Sequence, residues 1–383
     1  MTRISKKNKK LKIFVIAGEV SGDVLGAKIM RDMPGVEFMG VGGENMMAAG
    51  LHSLFPISDI AVMGIIEVAA HARTLTSRIR RVADAIVDAR PNIVLTIDAP
   101  GFARGVIKRI RGSRDGKKLI MAGLRFHHVV APQVWAWRPG RAKKYAATFD
   151  KLYSFFEFER PYFTKYGLDT MAVGHPIADG LEKYIPAKSP RVGHEKIITL
   201  VPGSRMSEVK KLLPLMRQTV DMLVSCGYQD YRFVIPTVET TDAFIRNDVK
   251  NWAVAPTLVP ASDRYDWYGR THIAIVASGT VSAELAIMHI PAIVVYRMNP
   301  ITTWLVRRVI RVRWVSLVNI LLNRCVYPEL LGPAATAENV VTCMRELSTP
   351  HAREMMINEL KSADKLWRGA DRPAALIAAD LMK

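Results

Sequence analysis

Cysteine is scarce in this 383-residue chain: Cys226, Cys325 and Cys343 are scattered, with no Cys-x-x-Cys pair. That excludes a disulfide framework and a cysteine zinc site, and it fits a reducing compartment. Long apolar runs are missing as well, since no window approaches the roughly 18 uninterrupted apolar residues that a spanning helix needs. The basic stretch Met1–Lys12 leads into Ile13–Ala17, which Gly18 and Glu19 cut short, too brief for the apolar region of an export signal. There is no Gly-Lys-Ser/Thr, hence no Walker A loop. Asp-x-Asp is also missing, so no chelated divalent metal is expected on a diphosphate. Repeats and low-complexity linkers are absent. Acid is in short supply, with 35 Asp and Glu against 54 Lys and Arg. The resulting charge of +19 calls for an anionic partner: nucleic acid, a phospholipid surface or a phosphorylated substrate.

What is present is globular composition, 49% hydrophobic and 23% charged. A single core stops growing near roughly 250–300 residues, so this length predicts two domains. Apolar, often β-branched runs recur at Lys12–Ala17, Asn92–Asp98, Leu119–Ala122, Met171–Val173, Lys196–Val201, Arg232–Ile235, Ile273–Ala277 and Ala292–Tyr296. They read as buried parallel strands. Helical spacing at Val62–Ala89, Val209–Val224 and Val281–Met288 makes the class α/β. Regular pattern fails near Pro176–His194, where Pro186, Pro190 and Gly193 precede a new strand. The expected architecture is two Rossmann-like, doubly wound lobes facing a cleft, a GT-B-type arrangement. The lobes are residues 1–185 and 190–349, with C-terminal helices in 350–383 packing back on the first.

Several segments carry chemistry. In Phe14–Asp23 a strand meets a glycine-bearing turn and a helix expected to start near Val24. Gly18 and Gly22 permit close backbone approach, and Glu19, Ser21 and Asp23 would stand at the cleft; equally, Ser21 and Asp23 could simply cap the helix. Asp98 ends a strand, where a carboxylate can take a proton from a sugar hydroxyl or form an Asx-turn before Pro100. In His127–Arg138, Trp135 could stack on a sugar or lie in the core, and Arg138 and Arg141 could meet a phosphate. His127 and His128 lack a third ligand and read as core or turn residues. In Ile197–Val209, Gly203 and Ser204 could present donors to a diphosphate, with Arg205 as counter-charge. Ile275–Glu284 repeats the logic: Ser278, Gly279 and Thr280 open a helix, and Glu284, one turn in, could accept ribose hydroxyls. From Tyr296 to Asn319, Arg307, Arg308, Arg311 and Arg313 interleave with Trp304 and Trp314, like an interfacial helix or a basic surface helix beside a core.

Taken together, the stretches AGEVSGD (17–23), VMGIIEV (62–68), IDAPGF (97–102), APQVWAWR (131–138), GHPIAD (174–179), PGSR (202–205), ASGTVSAE (277–284), YRMNP (296–300) and VSLVNIL (315–321) resemble the lipid-A-disaccharide synthase family, in its order, from about Phe14 to about Gly332. No cofactor or metal is expected, and the resemblance implies a GT-B fold. It implies a UDP-2,3-diacylglucosamine donor, a diacylglucosamine 1-phosphate acceptor and an inverted, β-1′,6-linked product. The scarce cysteine, the positive charge and the Tyr296–Asn319 segment make a cytoplasmic protein at the anionic inner face of the membrane the expectation, with room for a homodimer. On the family pattern Glu19, Ser21 and Asp23 lie in the acceptor-side loop and Asp98 is the base for the acceptor 6-hydroxyl. Arg205, Ser278, Thr280, Glu284, Tyr296, Arg297 and Asn319 match the UDP side. Two departures stand out: Gly101 where the family usually has Asp, and Glu157 where it usually has Pro. The alternatives are another UDP-N-acetylglucosamine transferase or epimerase of this architecture, a non-catalytic membrane scaffold, and a nucleic-acid binder. No RNP, KH or zinc-finger signature supports the last, so nucleic acid is not an expected partner.

Overall fold

In the computed structural model, which describes residues 10–60, 72–185, 196–297 and 312–383, the apolar runs form two parallel six-stranded sheets. The chain divides into two compact units, Met1–Pro176 with Arg368–Lys383, and Ile177–Trp367. Within the C-terminal stretch 350–383, the helices Pro350–Ser362 and Asp364–Trp367 belong to the second unit, and the helix Pro373–Leu381 belongs to the first.

The first sheet contains β1 (Lys12–Ala17), β2 (Glu37–Val41), β3 (Ile93–Ile97), β4 (Arg125–Val129), β5 (Lys151–Ser154) and β6 (Asp169–Ala172), ordered β2-β1-β3-β4-β5-β6. Phe14 and Ile16 pack with Val94 and Phe126 on one face, while Ile13, Val15 and Ala17 pack with Leu25, Ile29 and Ile377 on the other. A strand covered on both faces keeps no polar face, which is why β1 reads as an unbroken apolar run. The C-terminal helix is tied to this sheet through Asp380, whose Oδ2 accepts from the Tyr153 hydroxyl at 2.8 Å and pairs with Lys151 Nζ at 2.8 Å.

The second sheet contains β7 (Lys196–Val201), β8 (Tyr231–Thr237), β9 (Thr257–Pro260), β10 (Thr271–Ala277), β11 (Ala292–Tyr296) and β12 (Glu329–Leu331). Its order, β9-β8-β7-β10-β11-β12, is the doubly wound dinucleotide-fold order. Chain direction across each sheet reverses at one point, between β1 and β3 in the first and between β7 and β10 in the second. Ligands of such sheets gather at the carboxyl ends of the strands flanking that point.

Some expectations are corrected. Leu119–Ala122 is not a strand: it falls at the end of the helix Arg114–Met121, which Ser113 caps by accepting from Gly116 N at 3.0 Å. A short apolar run cannot by itself be told from a buried helix segment. The first helix starts at Val20 rather than Val24, so Ser21, Gly22 and Asp23 lie in its first turn. Of the helical stretch Val62–Ala89, the helix Ala72–Ala89 is observed. Residues 62–71, the VMGIIEV stretch among them, and 298–311, with Trp304, Arg307, Arg308 and Arg311, lie outside the described residues. Beyond them, the Arg313 guanidinium lies 4.8 Å over the Trp314 ring. Among the described residues no helix is long and apolar enough to cross a membrane.

Candidate active site

In the first unit, β1 and β3 deliver their loops to the switch point together. Gly18 N donates to Ile97 O at 3.0 Å. A Cβ on Gly18 would fall 2.1 Å from that of Ala99, so only glycine lets the Glu19 turn pass the end of β3. Asp98 and Ala99 both adopt left-handed backbone, with φ of 57° and 44°, and Asp98 Oδ1 accepts from Ala99 N at 2.8 Å. Just past the end of the next strand, β4, the β-branched Val130 has φ 84°. Such conformations cost of order 1–3 kcal/mol each and cluster where a site over-determines the backbone. Asp98 is half-buried at this strained corner and Glu19 occupies the N-cap position of the helix Val20–Arg31.

Other first-unit candidates do different work. Ser21 is exposed, while Gly22 is buried with room for only a tight Cβ, 3.3 Å from Ile97 Cγ2. Asp23 is turned inward, 2% exposed. Its carboxylate accepts from Gly43 N (2.7 Å), Met46 N (3.0 Å), Asn45 N (2.9 Å) and Asn45 Nδ2 (2.9 Å), and so caps the helix Glu44–Ala48 rather than its own. Trp135 is also turned inward: its ring meets Phe158 edge-on and its Nε1 donates to the buried Glu159 at 3.1 Å. Burial raises the Glu159 carboxyl to about 7, against the pull of its hydrogen bonds from Trp135 and the backbone. The half-buried neighbour Trp137 carries the cations, with Arg138 and Arg141 at 4.6 and 5.5 Å from its ring. His128 is fully buried against Phe149 and is lowered to about 3 by desolvation, as a core histidine should be.

The second unit holds a cavity of about 370 Å³ at its switch point, bounded by the turns after β7 and β10. Gly203, Ser204 and Arg205 come from one turn; Ser278, Gly279, Thr280 and Glu284 come from the other. Gly203 has φ 110° and Glu208 packs beneath it, leaving 2.6 Å for a Cβ, so a side chain is excluded on two counts. Arg205 occupies the N-cap position of the helix Met206–Ser225 and is exposed, with Nη1 3.2 Å from Glu208 Oε1. Glu284 is 5% exposed; its Oε1 accepts from the Tyr265 hydroxyl at 2.8 Å and from Arg264 Nη2 at 3.4 Å. Its other oxygen, Oε2, is buried with no hydrogen-bond partner among the described residues. Burial works against the Arg264 charge, but Glu284 together with Tyr265 and Tyr268 more than offsets it, and the guanidinium pKa is raised. Burial, helped by Glu284, pushes the Tyr265 hydroxyl up to about 12.

Arg264, Tyr265 and Glu208 were not singled out by sequence; they come from a short helix and an ordinary first turn with no glycine signature. Tyr296 ends β11 and Arg297 follows it, both outside the cavity wall, and Arg297 Nε donates to Ala335 O at 3.0 Å. Asn319 is fully buried and also off that wall. Its amide donates to Tyr327 O (2.8 Å) and Glu329 Oε1 (2.9 Å) and accepts from Val326 N and Tyr327 N, both at 2.9 Å. Those four bonds use its whole capacity. Among the described residues no group of three or more His, Cys, Asp or Glu is gathered to hold a metal ion.

Comparison with solved structures gives the fold. A UDP-GlcNAc 2-epimerase from Neisseria meningitidis, solved bound to UDP-GlcNAc, superposes with TM-score 0.62 over 97% of this chain and 100% of that one, at 12% identity. MurG from Acinetobacter baumannii gives 0.58 over 97% and 99%, at 10% identity. Both likenesses are to the two-lobe GT-B fold. Sequence is more discriminating. The lipid-A-disaccharide synthase of Rhodospirillum centenum is 40% identical over 97% of this chain and 94% of its own length. That of Rickettsia typhi is 32% identical over 97% and 98%. A family model described as lipid-A-disaccharide synthetase matches residues 13–368. With strained strand ends in one unit, a glycine-turned cavity in the other and identity sustained over nearly the whole chain, this protein belongs to the lipid-A-disaccharide synthase family.

Proposed function

We propose that the chain moves a 2,3-diacylglucosaminyl group from UDP to the 6-hydroxyl of 2,3-diacylglucosamine 1-phosphate, giving the β-1′,6-linked disaccharide 1-phosphate and UDP. The observation that carries this reading is the second-unit cavity, where two helix N-termini, Arg205 and a buried carboxylate with one unpartnered oxygen converge. Glu284 Oε2 accepts a ribose hydroxyl, while Gly203, Ser204, Ser278, Gly279 and Thr280 offer N–H and hydroxyl donors to the diphosphate. Tyr296 and Arg297 flank the nucleotide side, and Asn319 acts at one remove by holding the Val326–Glu329 segment. Asp98, beside Glu19 and Ser21, removes the proton as the acceptor oxygen attacks C1 opposite the leaving group. The C1–O bond to UDP breaks, and configuration at C1 inverts. Negative charge grows on the departing diphosphate, where Arg205 and fixed dipoles stabilise it most. Two acylated substrates and a charge of +19 support association with the anionic inner face of the cytoplasmic membrane.

The test is purified protein with both substrates and no added metal, reading UDP release and disaccharide by mass spectrometry and the anomeric configuration by NMR. Wild type should give β-linked product, Asp98→Ala should bind UDP-sugar without turnover, and Glu284→Ala should lose nucleotide affinity. An α-linked product, or full turnover by Asp98→Ala, would overturn the scheme.

A further inference from the structure

A second cavity, of about 660 Å³, opens at the carboxyl edge of the first sheet, and Val20, Met47, Phe55, Pro56 and Ile57 give it apolar walls. We infer that it receives an acyl chain of the sugar acceptor, a reading that rests on the proposed reaction. Position is the first argument. β1 and β2 run in register, Ile16 beside Val41, so the turn carrying Glu19 and the loop Gly42–Gly43 leave the sheet side by side. Val20, which follows Glu19, lines the cavity, so the space adjoins the acceptor-side turn.

Exposure is the second argument. Val20 is 72% exposed and Met47 48%, two large apolar side chains left in water around one hollow. Single exposed apolar residues are unremarkable, but a shared concavity marks a binding surface. Third, the polar side chains turned into the protein, Asp23 and Ser53, are already occupied, while Glu44 and Ser58 on the wall are exposed to water. Asp23 takes four hydrogen bonds, one from the Asn45 amide, and Ser53 Oγ accepts from Gly42 N at 3.1 Å and donates to Phe55 O at 2.8 Å. Glu44 and Ser58 are the polar groups left to a sugar, whereas an unbranched hydrocarbon needs none and can lie along Val20, Met47, Phe55, Pro56 and Ile57. Fourth, the wall is fixed in advance. A Cβ on Gly42 would meet Leu51 and Met46 at 2.8 Å, and one on Gly43 would meet Asp23 Oδ2 at 2.8 Å, so the loop is packed to contact. Binding a flexible chain to a preformed hollow avoids the cost of ordering the protein.

The experiment varies acceptor chain length two carbons at a time with the donor held constant, in detergent, for wild type, Val20→Asp and Met47→Lys. Both substitutions sit at exposed positions. Each buried methylene should raise acceptor kcat/KM by up to about fourfold in wild type. The variants should flatten that slope to under about twofold, while UDP affinity by calorimetry and the dependence on donor chain length stay unchanged. Titration of the acceptor without donor reads the same slope as an affinity. A protein that makes no disaccharide therefore refutes the proposed reaction, while the binding slope still decides the pocket. An unchanged acceptor slope in both variants, a flattened donor slope, or an effect confined to vesicle binding would each overturn the inference.

Discussion

Replacing Asp23 decides whether its carboxylate reacts or builds. In Asp23→Ala four N–H groups lose a charged acceptor at once. The two on Asn45 sit on an exposed residue and can turn to water, but those of Gly43 and Met46 are buried. An orphaned buried donor costs about 1–3 kcal/mol, so the pair costs roughly 4 kcal/mol, a large share of the 5–15 kcal/mol a domain has. Asp23→Asn keeps the shape and one acceptor oxygen but turns an NH₂ toward N–H donors, so about half that loss is expected. A chain of two units need not unfold in one step, so the assay is peptide-resolved amide exchange rather than a single denaturation midpoint. Over Gly43–Met46, Asp23→Ala should exchange on the order of a thousandfold faster and Asp23→Asn about thirtyfold faster than wild type. Exchange within twofold of wild type, combined with a collapse in turnover, would show that Asp23 acts on substrate and would refute the capping argument.

The other predictions probe the remaining strained or buried groups. Arg264→Met leaves Glu284 buried without its cation; with Arg264 31% exposed, the usual 3–5 kcal/mol for a broken buried pair shrinks to about 2 kcal/mol, and calorimetry should show UDP affinity down about tenfold, with Arg264→Lys recovering part of it. Glu159, raised to about 7 from an unfolded value of 4.5, binds more protons folded than unfolded, so stability falls as pH rises from about 4.5 to 7. Chemical denaturation of Glu159→Gln across that window should show a flatter profile, by up to about 3 kcal/mol; an unchanged slope would mean the carboxyl is ionised throughout. Gly101 faces open space at the start of the helix Pro100–Gly112, so Gly101→Asp should fold and gain about 0.5–1 kcal/mol from helix propensity and dipole, read by thermal unfolding. Ala99→Gly should relieve left-handed strain and stabilise by about 1 kcal/mol, yet slow turnover because Asp98 loses its fixed direction; unchanged kcat would argue that the strain is incidental.

How much of this was legible in the sequence depended on whether a local pattern had one tertiary outcome. β1, β3, β7 and β10 are covered on both faces, so their apolar runs could be little else. β2, at the sheet edge with Glu37 and Gly40, and β12, only three residues long, carry too little pattern to read. Leu119–Ala122 misled because four apolar residues fit either period. In the second unit the glycine turns were readable because a positive φ at Gly203 needs glycine. Arg264 and Tyr265 were not, because their meaning lies in Glu284, about twenty positions away and brought near only by the fold. Asp23 shows the limit most sharply. A carboxylate in a first helical turn looks the same whether it caps that helix, caps another or reacts, and only the neighbouring Gly43–Met46 backbone tells these apart.

The two units solve the same topological problem with different chemistry. At its switch point the second uses glycine and helix N-termini, which leave backbone N–H groups free and suit a diphosphate. At the equivalent point the first uses Asp98 and Ala99, with Val130 beyond the neighbouring β4; none is glycine, yet all three adopt left-handed backbone. Glycine there would be cheaper, so steric freedom alone does not account for the choice of Asp98. A carboxylate held at a strained strand end, with Gly18 pressed against the next residue, has little freedom to turn away. That rigidity suits a group which must meet one hydroxyl in one direction. In the second unit the corresponding carboxylate, Glu284, is instead sunk beneath its turn, with one oxygen bonded to Tyr265 and the other kept open, an arrangement suited to holding a ligand rather than to taking its proton.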